Sequence, residues 1–264
     1  MDVVLLTGVS GFIAKHVALK LLNAGYSVCG TLRRMDRDDE VRAALAPYLT
    51  NHVGELSFVQ ADLESDAGWA DAFQGVTALV HTASPFPLTS PKDPASVIRP
   101  AVEGTERVLK AAAAAGVTRV VLTSSTVAVL NEQKFDTLQD EADWCDTHLP
   151  TTSTYAKSKT LAERGAWEIA KARGLKLTTI NPGLVVGPPL DEHYGSSLAL
   201  VERILKGKDP MMPPFGLPMV DVRDAAEMHL RALQRPETVG RRYIASSGSM
   251  AMVDMARTLK AAYP

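Results

Sequence analysis

Two cysteines in 264 residues, Cys29 and Cys145, are too few for a disulfide framework, and neither stands at a metal-ligand spacing. Cys29 lies in an apolar, strand-like run and reads as a buried free thiol. No apolar run reaches the length of a membrane span. The N-terminus opens on Asp2 and a four-residue apolar run, without the charged region and long apolar stretch of a signal peptide. An excess of either charge is also lacking, since 28 Lys and Arg face 30 Asp and Glu for a net charge of −2. The short group Arg33, Arg34 and Arg37 is the one basic cluster, too small for a nucleic-acid footprint. Internal repeats are absent, and the alanine run at 111–115 is ordinary helix. These absences predict a soluble, cytoplasmic chain, monomer or homodimer, with no metal, membrane or nucleic-acid partner.

What is present is 46% hydrophobic sequence, enough for one sizeable core and a smaller lobe. Short apolar runs alternate with longer amphipathic segments. Residues 3–6, Ser27–Leu32, Leu56–Gln60, 76–81, Arg119–Thr123, 177–180 and Arg242–Ala245 read as strands. Residues 12–24, 69–73, 94–115, 151–173 and 250–262 read as helices, with Gly25, Gly116 and Gly174 as stops. A polar, charged segment separates Leu32 from about Leu49. This alternation predicts an α/β fold, a doubly wound, Rossmann-type parallel sheet with helices on both faces. After Asn181 the texture changes: Pro182, Gly183, Gly187, Pro188, Pro189, Pro210, Pro213, Pro214 and Pro218 interrupt it. The expected division is a dinucleotide-binding domain over 1–183 and a smaller C-terminal substrate lobe over 184–264, with 219–235 returning to the core.

Thr7-Gly8-Val9-Ser10-Gly11-Phe12-Ile13-Ala14 joins the first strand to the first helix. A pyrophosphate needs backbone N–H groups aimed at it and no side chain in the way, which Gly8 and Gly11 allow. The spacing Gly-x-x-Gly-x-x-Ala is weak alone and gains weight from its strand–turn–helix position. An NAD site usually carries an acid after the second strand; here Gly30-Thr31-Leu32-Arg33-Arg34 ends in arginines that can pair with a ribose phosphate. Arg33 is therefore the first candidate for an NADPH contact and Arg34 the second. Asp62-Leu63 after the third strand can place a carboxylate near adenine, or simply cap a helix.

Tyr155 and Lys159 stand four residues apart near the start of the longest helix, so both can face one site. Carbonyl reduction by hydride transfer builds negative charge on oxygen, and a proton must reach it. An ammonium close to a phenol is expected to lower the phenol's pKa for that task. Ser125, just past the strand Arg119–Thr123, would hold the substrate oxygen. Lys157 faces elsewhere by spacing, and Ser124 should point to the opposite side of the strand.

With these motifs the sequence resembles extended short-chain dehydrogenases/reductases of the NAD-dependent epimerase/dehydratase superfamily, within them the dihydroflavonol reductase-like and aldehyde reductase group. Further matching stretches are His81-Thr82-Ala83-Ser84-Pro85, Leu122-Thr123-Ser124-Ser125, Asn181-Pro182-Gly183 and Val220-Asp221-Val222-Arg223-Asp224. The resemblance implies NADP(H) binding through Thr7, Gly8, Gly11, Phe12, Ile13, Arg33, Asp62 and Leu63. It implies further contacts from Thr82, Ala83 and Ser84, and from Pro182, Gly183 and Val185 beside the nicotinamide, with His81 structural. Catalysis would fall to Ser125, Tyr155 and Lys159. The family usually continues well beyond residue 264, which leaves open whether the lobe is complete. Cinnamoyl-CoA reductases carry an Asn-Trp-Tyr-Cys signature that Val129-Leu130-Asn131-Glu132 and Asp143-Trp144-Cys145 do not reproduce.

The resulting expectation is an NADPH-dependent reductase of small aldehydes or ketones, dihydroflavonol-like or aromatic. Alternatives are a nucleotide-sugar epimerase or dehydratase, against which Arg33 speaks, and a non-catalytic NADP sensor, against which Tyr155 and Lys159 speak. His16, His52, His148, His193 and His229 have no partners at ligand spacing and are expected at the surface or at caps. The run Met211-Met212-Pro213-Pro214-Phe215 could line a pocket or fill the lobe's core. Trp69, Trp144 and Trp167 are expected to pack, and Asp221, Arg223 and Asp224 to form a helix-start ion pair tying the lobes together.

Overall fold

The computed structural model describes residues 2–50, 54–85, 93–134, 137–208, 211–213 and 215–263; His52, Pro210 and Pro214 lie outside them. The first strand, β1 (Val3–Thr7), is buried from Val4 onward because helices cover both faces of its sheet. Side-chain alternation then sorts its residues, Val4 and Leu6 into one core and Leu5 into the other. The chain continues through α1 (Phe12–Asn23), β2 (Ser27–Leu32), α2 (Asp38–Leu45), β3 (Leu56–Gln60), α3 (Trp69–Ala72), β4 (Ala78–His81) and α4 (Ala95–Ala114). Next come β5 (Arg119–Thr123), α5 (Thr154–Arg173), β6 (Lys176–Pro182), β7 (Leu184–Val186), α6 (Gly195–Leu205) and β8 (Gly216–Asp221). Last are α7 (Val222–Gln234), β9 (Arg242–Ala245), β10 (Gly248–Ala251) and α8 (Met252–Ala262).

Seven strands form one parallel sheet in the order β3-β2-β1-β4-β5-β6-β9. Val17 and Leu21 of α1, Val41 and Leu45 of α2 and Val222 and Leu230 of α7 cover one face. Trp69 of α3, Val108 and Leu109 of α4 and Ala166 and Ala170 of α5 cover the other. The strand order reverses between β1 and β4, which opens a crevice at the carboxyl ends of those strands where ligands of such sheets bind. No helix among the described residues is long and apolar enough to cross a membrane.

Several boundaries differ from the sequence reading. The polar segment before Leu49 contains α2, whose acidic first turn suits a helix N-terminus while Val41, Ala44 and Leu45 are buried. Helix α5 starts at Thr154 because the Ser153 hydroxyl accepts the Ala156 N–H at 3.1 Å and caps it. Gly174 ends that helix in the left-handed region at φ 67°. Residues 219–235 divide their allegiance. Helix α7 packs on the main core, but β8 joins a separate three-stranded sheet, parallel to β7 and antiparallel to β10. Beneath that sheet Ile204, Met252 and Met255 form a small core to which Met212 adds, whereas Met211 and Phe215 are exposed.

Candidate active site

Gly8 has φ 67°, and a Cβ built on it would stand 3.0 Å from the Ala83 Cβ. Both facts restrict the position to glycine. Its N–H donates to the Thr31 hydroxyl at 3.0 Å, and the Gly11 N–H returns to the Gly8 carbonyl at 2.9 Å. Gly11 is the N-cap of α1 and offers no side chain, so the first N–H groups of the helix are left to an anionic ligand. Gly30 keeps β2 clear of this turn, since a Cβ there would meet Val9 Cγ1 at 2.6 Å.

Thr7, a cofactor candidate from the sequence, is absent from the cleft lining and turns its side chain into the sheet. It is fully buried, and its hydroxyl oxygen accepts the Thr82 and Ala83 N–H groups, each at 3.1 Å. With both lone pairs used, its proton goes to His81 Nδ1 at 2.7 Å. The Thr82 hydroxyl donates to the Thr7 carbonyl at 2.5 Å, so the ends of β1 and β4 are fastened together. Burial holds the His81 pKa down to about 3, with the charge of Lys159 adding to the effect, and the ring is neutral.

The catalytic candidates come together on one wall of a cleft of about 400 Å³. Its lining includes Gly8, Gly11, Phe12, Ile13, Thr82, Ser84, Ser125, Tyr155, Lys159, Pro182, Gly183 and Val185. Ser125 is hydrogen-bonded to the Tyr155 phenol, while Ser124 points to the opposite side and donates to Glu163 at 2.5 Å. The Lys159 ammonium donates to the Thr123 carbonyl at 3.1 Å. Lys157, two residues from Tyr155, is absent from the lining.

The electrostatics correct one expectation. Burial pushes the Tyr155 phenol up to about 12, and the hydrogen bond with Ser125 works against that rise. Burial also brings Lys159 down to about 8, with Glu163 opposing. Burial thus sets the direction for the phenol, with the Ser125 hydrogen bond as the opposing influence in place of the lowering by the ammonium that the sequence led one to expect. The site therefore holds a neutral phenol, the form that donates a proton.

The remaining candidates lie outside the cleft lining. Ala83 packs under Gly8, and Leu63 packs against Gly104. Asp62 accepts the Glu64 N–H at 3.0 Å as a turn residue, and its carbonyl takes the Trp69 indole N–H at 3.1 Å. Arg33 is exposed, with its carbonyl held by Gln60 at 3.0 Å. Arg34, also exposed, pairs with Asp36 at 2.9 Å. Arg37, which sequence reasoning did not place in the site, reaches the Ser10 hydroxyl at 3.3 Å and is gripped by both Glu40 oxygens. Its place in the short basic group with Arg33 and Arg34 was the available signal. Gly195, Ser196 and Ser197 at the start of α6 also line the cleft, and no local motif announced them.

Two histidines expected at the surface are buried. His16 is bonded to the Pro188 carbonyl at 3.0 Å. His229 Nδ1 donates to the Ala225 carbonyl at 2.6 Å, so its Nε2 accepts the Thr123 hydroxyl at 2.7 Å. Glu40, Asp191 and His193 bring ligand-type atoms within 4.8 Å of one another, but Arg37 pairs with Glu40 and Lys15 with Asp191, and the cluster reads as ion pairing. Asp221 caps the Arg223 N–H at 2.8 Å and pairs with its guanidinium at 2.7 Å, a pairing local to the start of α7.

A glycine-turned parallel sheet with a phenol, an amine and a hydroxyl at its switch-point crevice defines a dinucleotide-dependent enzyme scaffold. The chain belongs to the NAD dependent epimerase/dehydratase family, whose model matches residues 4–245. It is 36% identical to cinnamoyl-CoA reductase 1 of Arabidopsis thaliana over 248 residues, 92% of this chain and 70% of that one. It is 34% identical to dihydroflavonol 4-reductase of Zea mays over 269 residues, 99% of this chain and 74% of that one. Among solved structures it is similar to the yeast methylglyoxal/isovaleraldehyde reductase Gre2 complexed with NADPH, with a TM-score of 0.84 and 29% identity, covering 96% of this chain and 80% of that one.

Proposed function

We propose that the chain is an NADPH-dependent reductase of small aldehydes and ketones, dihydroflavonol-like or aromatic. The observation that carries this reading is the convergence of Ser125, Tyr155 and Lys159 on the cleft that the glycine turn also lines. The relatives and the solved neighbour support it, being reductases by name, one of them held with NADPH. Residues 1–183 form the coenzyme-binding part and 184–264 mainly the substrate lobe, with α7 packed back on the core and β9 completing the main sheet.

The residues fit the coenzyme. Gly8, Gly11 and the open N-terminus of α1 form a cradle that a Cβ would obstruct and would hold the pyrophosphate. Arg33 and Arg37, with Arg34 beside them, would hold the ribose phosphate, and Asp62 and Leu63 would border the adenine. Thr82, Ser84, Pro182, Gly183 and Val185 would flank the nicotinamide. When bound, the reduced coenzyme supplies the hydride. Ser125 donates a hydrogen bond to the carbonyl oxygen and orients it. Tyr155, kept protonated by burial, gives its proton to that oxygen as charge develops there. The Lys159 ammonium stabilises the phenolate left behind. Leu130, Leu184, Leu217 and Pro218 give the cleft apolar walls that keep water from the transfer.

The test is oxidation of NADPH, followed by absorbance, with a panel of aromatic and aliphatic aldehydes and ketones. Turnover with some of them is the expected result. Tight NADP binding without turnover of any carbonyl would sink the proposal in favour of a sensor, and purification with bound oxidised NAD would favour an epimerase.

A further inference from the structure

Tyr155, Lys159 and Glu163 follow one another at intervals of four on α5, so a carboxylate occupies the next turn of the face that carries the catalytic pair. Glu163 is fully buried. Its oxygens accept from Ser124 at 2.5 Å, Asn181 at 2.8 Å, Thr179 at 3.1 Å and Arg242, whose Nε lies at 2.7 Å. Asn181 also donates to the Ser125 carbonyl at 3.2 Å, so the strand end bearing Ser125 is tied to Glu163 from both sides. Arg242 extends the grip to the wall that follows Ser125. Its guanidinium donates to the Glu141 and Asp143 carbonyls at 2.9 and 2.6 Å and lies 3.7 Å over the Trp144 ring.

We propose that Glu163 is a positioning residue for the reduction: paired with Arg242, it fixes β5, β6 and β9 against α5 so that Ser125, Tyr155 and Lys159 share one geometry, and it is the counter-charge of the Lys159 ammonium. The inference rests on the reductase reading of this site. Among the described residues the titratable groups around Lys159 are Tyr155 and Glu163 on its own helix and His81 from β4. Arg242 of β9 stands behind Glu163, and His229 of α7 lies on the far side of Thr123. Strands β5 and β6 contribute hydroxyls, carbonyls and the Asn181 amide. His81 and His229 are neutral near pH 7, with pKa values of about 3 and about 4, so Glu163 is the negative charge that favours the protonated lysine. Removing it lets Lys159 lose its proton at lower pH.

The experiment compares wild type with Glu163→Gln and Glu163→Asp by two readouts, the pH profile of kcat with NADPH and the Lys159 titration by NMR of 13Cε-labelled lysine. Lys159→Met assigns the resonance. Glu163→Gln should lower kcat about tenfold, or about 1.4 kcal/mol of barrier. It should leave the KM for NADPH within about threefold, because the cofactor turn is untouched. The basic limb and the lysine titration should both move down by about one pH unit, and Glu163→Asp should restore part of the shift. If Glu163→Gln does not fold, Glu163→Gln with Arg242→Met removes the buried pair together and should show the same fall in kcat and the same direction of shift. A folded variant with kcat and lysine titration unchanged overturns the proposal, as does failure of both variants to fold, which would make the carboxylate a requirement of the fold alone. Inactivity of the wild type toward every carbonyl would sink the reductase reading instead, and the NMR titration would still decide whether Glu163 is the counter-charge.

Discussion

His81 and His229 each hold a threonine at the end of a central strand, and each is a neutral ring sealed from water. Burial depresses their pKa values to about 3 and about 4 against an ordinary value of 6.5. Below pH 6.5 the unfolded chain takes up protons that the folded chain refuses, so stability falls as pH drops from 6.5 toward 4. Each ring contributes a slope of about 1.4 kcal/mol per pH unit in that window. Urea unfolding at pH 7 and pH 5 should therefore show a loss that His229→Gln makes shallower by about that slope, and an equal loss in variant and wild type would contradict the assignment. The resemblance already implied a structural His81, whereas the environment of His229 was not legible in the sequence. Spacing gave the histidines no ligand partner, but burial depends on helices packed across the sheet, and nothing adjacent to His229 announces Thr123, which lies 106 positions away. The side chain of Thr7 was not legible for a related reason: its three hydrogen bonds go to residues 74 to 76 positions away.

At the scale of elements, the glycine turn and the end of β2 were legible because their chemistry is local. Gly8 needs positive φ, and a strand that ends in arginines has no acid for ribose hydroxyls. The guanidinium of Arg37 is held beside Ser10 by Glu40, which raises the pKa of the arginine and lowers that of the acid. If Arg33 and Arg37 both serve the ribose phosphate, Arg33→Ala and Arg37→Ala should each raise the KM for NADPH by about tenfold or more while changing that for NADH by about twofold. Equal effects on the two coenzymes would remove the phosphate assignment. Helix α2, which brings Glu40 to Arg37, escaped the sequence reading because only eight residues form it and its first turn is wholly acidic. Strands β7 and β10 escaped because three or four residues among prolines and glycines carry little periodicity.

Over the whole molecule, the parallel sheet was readable because its central strands β1, β4, β5 and β6 are buried on two faces, the edge strands β3 and β9 are half-open, and every crossover returns through a helix. The lobe was not, since its sheet joins segments 184–186, 216–221 and 248–251 that share no common pattern. The buried clamp at Glu163 was invisible for the same reason, as its partners come from the residue after β5 and from β6 and β9. The sheet and the lobe meet at the cleft, where the proposed reduction turns on a protonated Tyr155. Tyr155→Phe tests it most directly when NADPH binding and carbonyl turnover are measured on the same preparation. In that variant the coenzyme's Kd should stay within about threefold while kcat falls by about a thousandfold or more. Turnover close to the wild-type rate in that variant would contradict it.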